Sequence, residues 1–120
     1  MSMLSMREAL YALLKTSGFA VYAEGQVPEG ATYPYVTYDT TTAPLGEQGE
    51  LRVTCWTRDD ARGSLEMAKR MEEILPETGV LLRYADGLAT IDPVRTELLQ
   101  DAQDRRVSGC RGRFELRCYE

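Results

Sequence analysis

Three cysteines, a few neighbouring carboxylates and two glycine-bearing loops are the groups in this 120-residue chain whose types and spacing could carry chemistry. Histidine is absent, which removes the commonest general base and the commonest metal ligand together. Nucleophilic catalysis would then fall to a Cys or Ser activated by a Lys, a helix N-terminus or a carboxylate. Cys55 and Cys118 sit on the apolar phase of alternating segments, the pattern of small buried hydrophobes rather than of nucleophiles. Cys110, between Gly109 and Arg111-Gly112-Arg113, is the one thiol in a setting that reads as basic and flexible, which would lower its pKa. No base or oxyanion arrangement accompanies it, so the chain is not expected to be an enzyme. An odd number of cysteines without a CxxC spacing writes neither a closed disulfide framework nor a zinc knuckle and fits a reducing interior.

The carboxylate pairs Asp59-Asp60, Glu72-Glu73 and Asp101 with Asp104 could in principle hold Mg²⁺ or divide acid and base roles. Each also has an ordinary reading: a helix cap, a solvated helix side and a turn. Adjacent residues on a helix point in different directions, so these spacings do not converge on one site. Gly46-Glu47-Gln48-Gly49 and Gly109-Cys110-Arg111-Gly112 lack the preceding strand and following helix that a phosphate-cradling loop needs. No cofactor or metal is expected.

The elements that would position these groups follow from periodicity. Met3, Leu4, Met6, Leu10, Tyr11, Leu13 and Leu14 fill about half the circumference of a helix over 2–16, with Gly18 where a C-cap belongs. That arc is wider than one sheet contact needs, so the helix is expected to meet a second surface. Arg7 projects into the same arc, as a snorkelling margin residue or as an interface ion pair. Residues 19–23 form a short extended piece, and Pro28 and Gly30 mark a loop. The aromatic and β-branched run 33–42 reads as a strand. A second strand alternates Leu51, Val53 and Cys55 with Arg52, Thr54 and Trp56, giving a hairpin whose tip at 42–49 is expected to be flexible. A second helix over 59–75 shows a charged face with the i,i+4 pairs Glu66 with Arg70 and Lys69 with Glu73, an ordinary solvated face. Pro76 and Gly79 stop it. Short strands follow at 80–84 and 88–91, separated by a turn at 85–87, and a break at Asp92-Pro93 precedes further alternation over 94–99. The final strand puts Phe114, Leu116 and Cys118 on one face and Arg111, Arg113, Arg117 and Tyr119 on the other.

This order, α-β-β-α-β-β with a further strand optional, indicates an α+β fold: one largely antiparallel, possibly mixed sheet with two helices packed on one face. At this length a single domain over 1–120 is expected. Net charge −5 and a pI near 4.8 argue against a chain whose main business is neutralising nucleic-acid phosphates or an anionic membrane. No secretory leader or membrane span is expected. What is left over is surface. Trp56 falls on the polar phase of its strand near Tyr33, Tyr35 and Tyr38, and aromatics with Arg are the usual anchors of protein interfaces. Arg7, Tyr11, Trp56, Arg111, Arg113, Arg117 and Tyr119 are the candidate contact residues; the alternative for Trp56 is a place in the core.

Four segments carry a family resemblance: Arg7-Glu8-Ala9-Leu10-Tyr11-Ala12-Leu13-Leu14, then Tyr33-Pro34-Tyr35-Val36-Thr37-Tyr38, then Leu51-Arg52-Val53-Thr54-Cys55-Trp56-Thr57, and finally Gly112-Arg113-Phe114-Glu115-Leu116-Arg117-Cys118-Tyr119. Their succession resembles the tail-terminator, or tail-completion, proteins of long-tailed bacteriophages and prophages, and covers essentially the whole domain. The segment 88–104 departs from the commonest pattern. The resemblance implies a virion tail protein that is a monomer when free and forms a ring of about six subunits on the tail tube. There it stops tube polymerisation, presents a surface to head-completion proteins and passes DNA through its lumen. It implies no catalytic residue. Two other readings are a head-tail connector or minor capsid protein and, from a different class, a small ligand-binding or regulatory domain marked by a concave pocket with convergent polar groups.

Overall fold

The computed structural model describes residues 2–41, 48–85 and 87–119, the first three by their backbone. Most of the expected flexible tip at 42–49, and the centre of the turn at 85–87, lie outside the described residues. Helix α1 covers Ser2–Lys15. It closes through bonds from the Thr16, Ser17 and Gly18 amides to the carbonyls three residues back, and Gly18 takes φ +87°, the left-handed position that suits glycine after a helix. Strands β1 (Ala20–Ala23), β2 (Tyr35–Thr41) and β3 (Gln48–Arg58) follow, then helix α2 (Ala61–Met71), then β4 (Val80–Tyr84), β5 (Gly87–Gln100) and β6 (Val107–Tyr119).

The fold is α+β, with two helices and a six-stranded sheet in the order β1-β2-β3-β6-β5-β4. β1 runs parallel to β2 and every other pairing is antiparallel, so the sheet is mixed. The expected order is met only in part. Residues 19–23 are more than an extended connection, because β1 adds a parallel edge strand through Val21 opposite Val36. The expected break at Asp92-Pro93 does not end a strand either. β5 runs through it, accommodating the proline with a register shift between Pro93 and Arg95, a bulge that lets the ladder resume. α2 also stops at Met71, short of the expected 75, and 72–75 continue as turns whose amides bond back to carbonyls of 68–71.

Core side chains alternate along the strands. Val36, Tyr38, Leu51, Val53, Cys55, Phe114, Leu116, Ala89, Ile91 and Leu82 share one buried cluster with Met6, Leu10 and Leu14 of α1 and Met67 and Met71 of α2. α2 packs on the central strands β3 and β6, whereas α1 touches β1 at one end of the sheet order and β4 and β5 at the other. The sheet therefore curls around α1. That curl explains the wide apolar arc of the first helix: its second surface is the far end of the same sheet.

The expected solvated face of α2 also differs in detail. Arg62 pairs with Glu66 at 3.2 Å. Arg70 instead leaves the helix surface, donating from Nε to the Ser17 carbonyl at 2.9 Å and lying 5.9 Å from the centre of the Phe19 ring. A cation over an aromatic face and a bond to a backbone carbonyl just past the helix both favour this position, and together they tie α2 to the end of α1.

Candidate interaction surface

Cys55 and Cys110 are direct partners across β3 and β6, and both are buried. Burial pushes the Cys55 thiol up to about 12, with its neighbour Cys110 adding to the effect. Cys110 is raised as well, by burial first and by Glu72 second. The basic, flexible setting expected around Cys110 is therefore absent: it lies inside a strand and points into the core, while Arg111 and Arg113 point to the other face. Gly109 belongs to the same strand and leaves room for Trp56. A Cβ there would stand 2.8 Å from the indole. Cys118 is half-buried, and burial raises its thiol too.

Two of the three carboxylate pairs sit in a helix cap and a turn as expected, whereas Glu72-Glu73 lies just past the end of α2, with Glu72 as its C-cap, and not on a solvated helix side. Asp60 caps α2 by accepting from the Gly63 amide at 2.9 Å. Asp59, at φ +59°, forms a two-bond ion pair with Arg106, and this bonding holds its carboxyl below the usual range. Asp101 accepts from the amides of Gln103 and Asp104 at 2.8 and 3.2 Å, closing the turn between β5 and β6. Among the described residues no group of three or more His, Cys, Asp or Glu side chains is placed to hold a metal.

The face of the sheet opposite the core is a charge ladder. Arg52 bonds Asp39 across β2 and β3 and approaches Glu50 at 3.6 Å. Arg113 bonds Glu50 at 2.9 Å and Glu97 at 2.5 Å. Its hydrogen bond to Glu97 is the leading cause that holds that carboxyl below its ordinary range. Arg111 bonds Thr54 at 2.9 Å and Glu24 at 3.1 Å, and Arg117 meets Glu115 at 3.0 Å. Arg52 and Arg113 stand directly opposite one another in the ladder, a like-charge pairing that costs free energy unless acids intervene. Glu50, Asp39 and Glu97 supply them. Arg111, Arg113 and Arg117 are thus paired within the chain and do not form an unpaired basic stripe.

The remaining candidates are scattered. Trp56 is half-buried on this outer face, its indole N–H donating to Thr37 Oγ1 at 2.9 Å, so it is neither core nor free. Beside it Tyr33 stacks on Tyr35 at 4.8 Å and Tyr22 meets Tyr35 edge-on at 5.7 Å. Arg7 is exposed on α1, and its charge bears on the buried Tyr38 hydroxyl. Tyr11 packs its ring against Tyr38 at 6.4 Å, and Tyr119 lies at the far end of β6, where its carbonyl accepts from Tyr84. These residues do not form one patch.

Sequence reasoning did not single out the far half of β5. β4 pairs with β5 only over 87–91, and among the described residues no strand takes that side of 92–100. Val94 and Leu98 are 61% and 69% exposed there. Between this arm and α2 lies a groove of about 680 Å³, floored by Val53, Cys55, Cys110 and Phe114 and rimmed by Leu65, Lys69, Glu72 and Arg95. Compared with protein-family models and with curated proteins, the chain finds no match in either.

Proposed function

We propose that this chain is a structural subunit of the tail-terminator kind: it forms a ring of about six copies on a phage tail tube, halts tube growth and offers the opposite side to head-completion proteins. The observation that carries the reading is where the resembling segments lie. The segment 33–38 lies on and just before β2, 51–57 lies within β3 and 112–119 forms the end of β6. These three strands are consecutive neighbours in the sheet, and Leu10 and Leu14 from the first segment complete their core. The segments that resemble the family thus make one contiguous unit rather than a set of separate coincidences. We read both helices as covering the inward face of the curled sheet, which leaves the charge ladder and the aromatic cluster of Tyr22, Tyr33 and Tyr35 to meet neighbours and tube. In that role the arginines serve as a neutralised, shape-holding surface; a lumen that lets DNA slide gains nothing from tight phosphate binding.

The test is assembly. The purified chain mixed with tail tubes is expected to sit as a ring at one tube end in negative stain and to stop elongation. Tubes that grow unchanged and carry no added density would reject the reading. A ligand-binding role is the second reading, and the groove beside α2 favours it, because its apolar floor and its Lys69, Glu72 and Arg95 rim combine in one concavity. Saturable stabilisation of the chain by a small molecule, lost on Leu65→Glu, would favour that role over assembly.

A further inference from the structure

We propose that the free edge of β5 pairs antiparallel with the same edge of a second copy, about a two-fold axis at Thr96. Backbone direction comes first. The Asp101 amide donates to the Val107 carbonyl at 3.1 Å, and 95, 97 and 99 continue that register toward β6. In an antiparallel ladder the backbone groups alternate sides, so Thr96, Leu98 and Gln100 present their N–H and C=O groups to the uncovered side. An edge of this kind is a template for another strand unless proline, charge or a cover blocks it. Pro93 and the bulge limit how far β4 could extend, yet they leave 94–100 open.

Side chains then select the occupant and the register. Two-fold pairing about Thr96 sets Arg95 opposite Glu97 of the second copy, Glu97 opposite its Arg95, and Val94 opposite its Leu98. The charged pair falls at a non-hydrogen-bonded position, where facing side chains are closest. Thr96 meets Thr96 with its backbone groups exchanged. Shifting the axis by one residue places Arg95 on Arg95 or Glu97 on Glu97, and like charges directly opposite are destabilising. The segment Val94-Arg95-Thr96-Glu97-Leu98 is thus complementary to itself in one register. The same register covers the most exposed large hydrophobic side chains among the described residues, Val94 and Leu98. Because facing residues in a sheet share a face, the two grooves beside α2 become continuous across the axis. The contact is isologous and closes after two subunits, so it goes beyond the ring reading and does not rest on it.

The experiment is sedimentation velocity with light scattering on the full chain, from about 1 μM to about 1 mM, with circular dichroism on each variant. The wild type is expected to show a monomer-dimer equilibrium. Arg95→Glu puts acid opposite acid twice and is expected to weaken the dimer roughly ten-fold or more. Arg95→Glu with Glu97→Arg restores opposite charges and is expected to recover affinity to within about three-fold of wild type. Thr96→Pro removes an outward amide that no strand among the described residues uses and is expected to abolish the dimer while the chain stays folded. Since Glu97 also serves Arg113, a double variant that loses its fold leaves Arg95→Glu and Thr96→Pro as the deciding pair. A strict monomer across the range overturns the proposal. So does a dimer indifferent to both variants, and so does a six-fold ring indifferent to both, which would leave the ring reading standing.

Discussion

The middle of the sheet and the far half of β5 are written in the same alternation of apolar and charged residues, yet they reach opposite states. In β3 and β6 the apolar phase is covered by α2 and the charged phase is neutralised by Asp39, Glu50 and Glu97. In β5 beyond Pro93 the apolar phase keeps Val94 and Leu98 in solvent, and among the described residues no strand lies along one backbone edge. Alternation marks which side chains share a face; whether that face is covered depends on how far the neighbouring strand runs. β4 is five residues long and β5 is fourteen, and the difference is the open edge. The centre is thus saturated and the margin is not.

The largest way to break the comparison is to damage the centre. Leu10 is fully buried in α1, between the ends of the curled sheet. Leu10→Ala is expected to cost about 2 to 5 kcal/mol, because the lost transfer free energy adds to a cavity the curled sheet cannot close. Urea unfolding followed by circular dichroism measures it. A loss below about 1 kcal/mol would show that the core does not depend on α1.

Next in size is Gly109→Ala. The added Cβ would lie 2.8 and 2.9 Å from two carbons of the Trp56 ring, and the ring is held by its bond to Thr37. Relief requires the indole to tilt and strain that bond, so a destabilisation of about 1 to 3 kcal/mol is expected. A blue- or red-shifted tryptophan emission maximum should accompany it. Unchanged stability together with unchanged emission would mean that the indole yields freely.

Acid should then loosen the charge ladder, and with it Glu97, the carboxylate that the ladder shares with the far half of β5. Arg113 holds the Glu97 carboxyl below its ordinary range, and Arg106 does the same for Asp59. The native state therefore binds these protons less readily than the unfolded chain, whose carboxylates titrate near about 4. The stabilisation is complete above that unfolded value and is lost as pH falls through the depressed native values. The urea midpoint should accordingly decline as pH is lowered from about 5 to 3, and Arg113→Gln should flatten the slope. A slope identical in wild type and variant would remove the ladder from the account.

Much of this organisation is legible in the chain itself, and the reasons differ by element. α1, β3 and β6 announce themselves because each buries one phase of a long regular pattern. Asp60 reads as a cap from local chemistry alone. β1 is harder: four residues joined in parallel to a strand twelve positions further on carry too little pattern to be told from a loop. Cys110 misleads because glycines on both sides suggest flexibility, whereas Gly109 is there to admit the Trp56 ring. The arginines of β6 are visible as an outward phase, but their partners Glu24, Glu50 and Glu97 come from a loop and two other strands, and only the fold brings them together. The open edge is equally hidden, since it follows from the shortness of β4.

The smallest expected effect is the one that sharpens the contrast most. Leu98 and Leu51 are both leucines on alternating strands, and Leu98 is 69% exposed whereas Leu51 is 0% exposed. Little apolar area leaves water when Leu98 folds, so Leu98→Thr is expected to change monomer stability by less than about 0.5 kcal/mol. The equivalent change at Leu51 would cost several times more through lost burial and an unsatisfied hydroxyl. The measurement is urea unfolding of both variants at low micromolar concentration, where self-association is minimal. If Leu98→Thr proved as costly as Leu51→Thr, the far half of β5 would be packed in solution, and the division between a saturated centre and an open margin would fail at the residue that defines it.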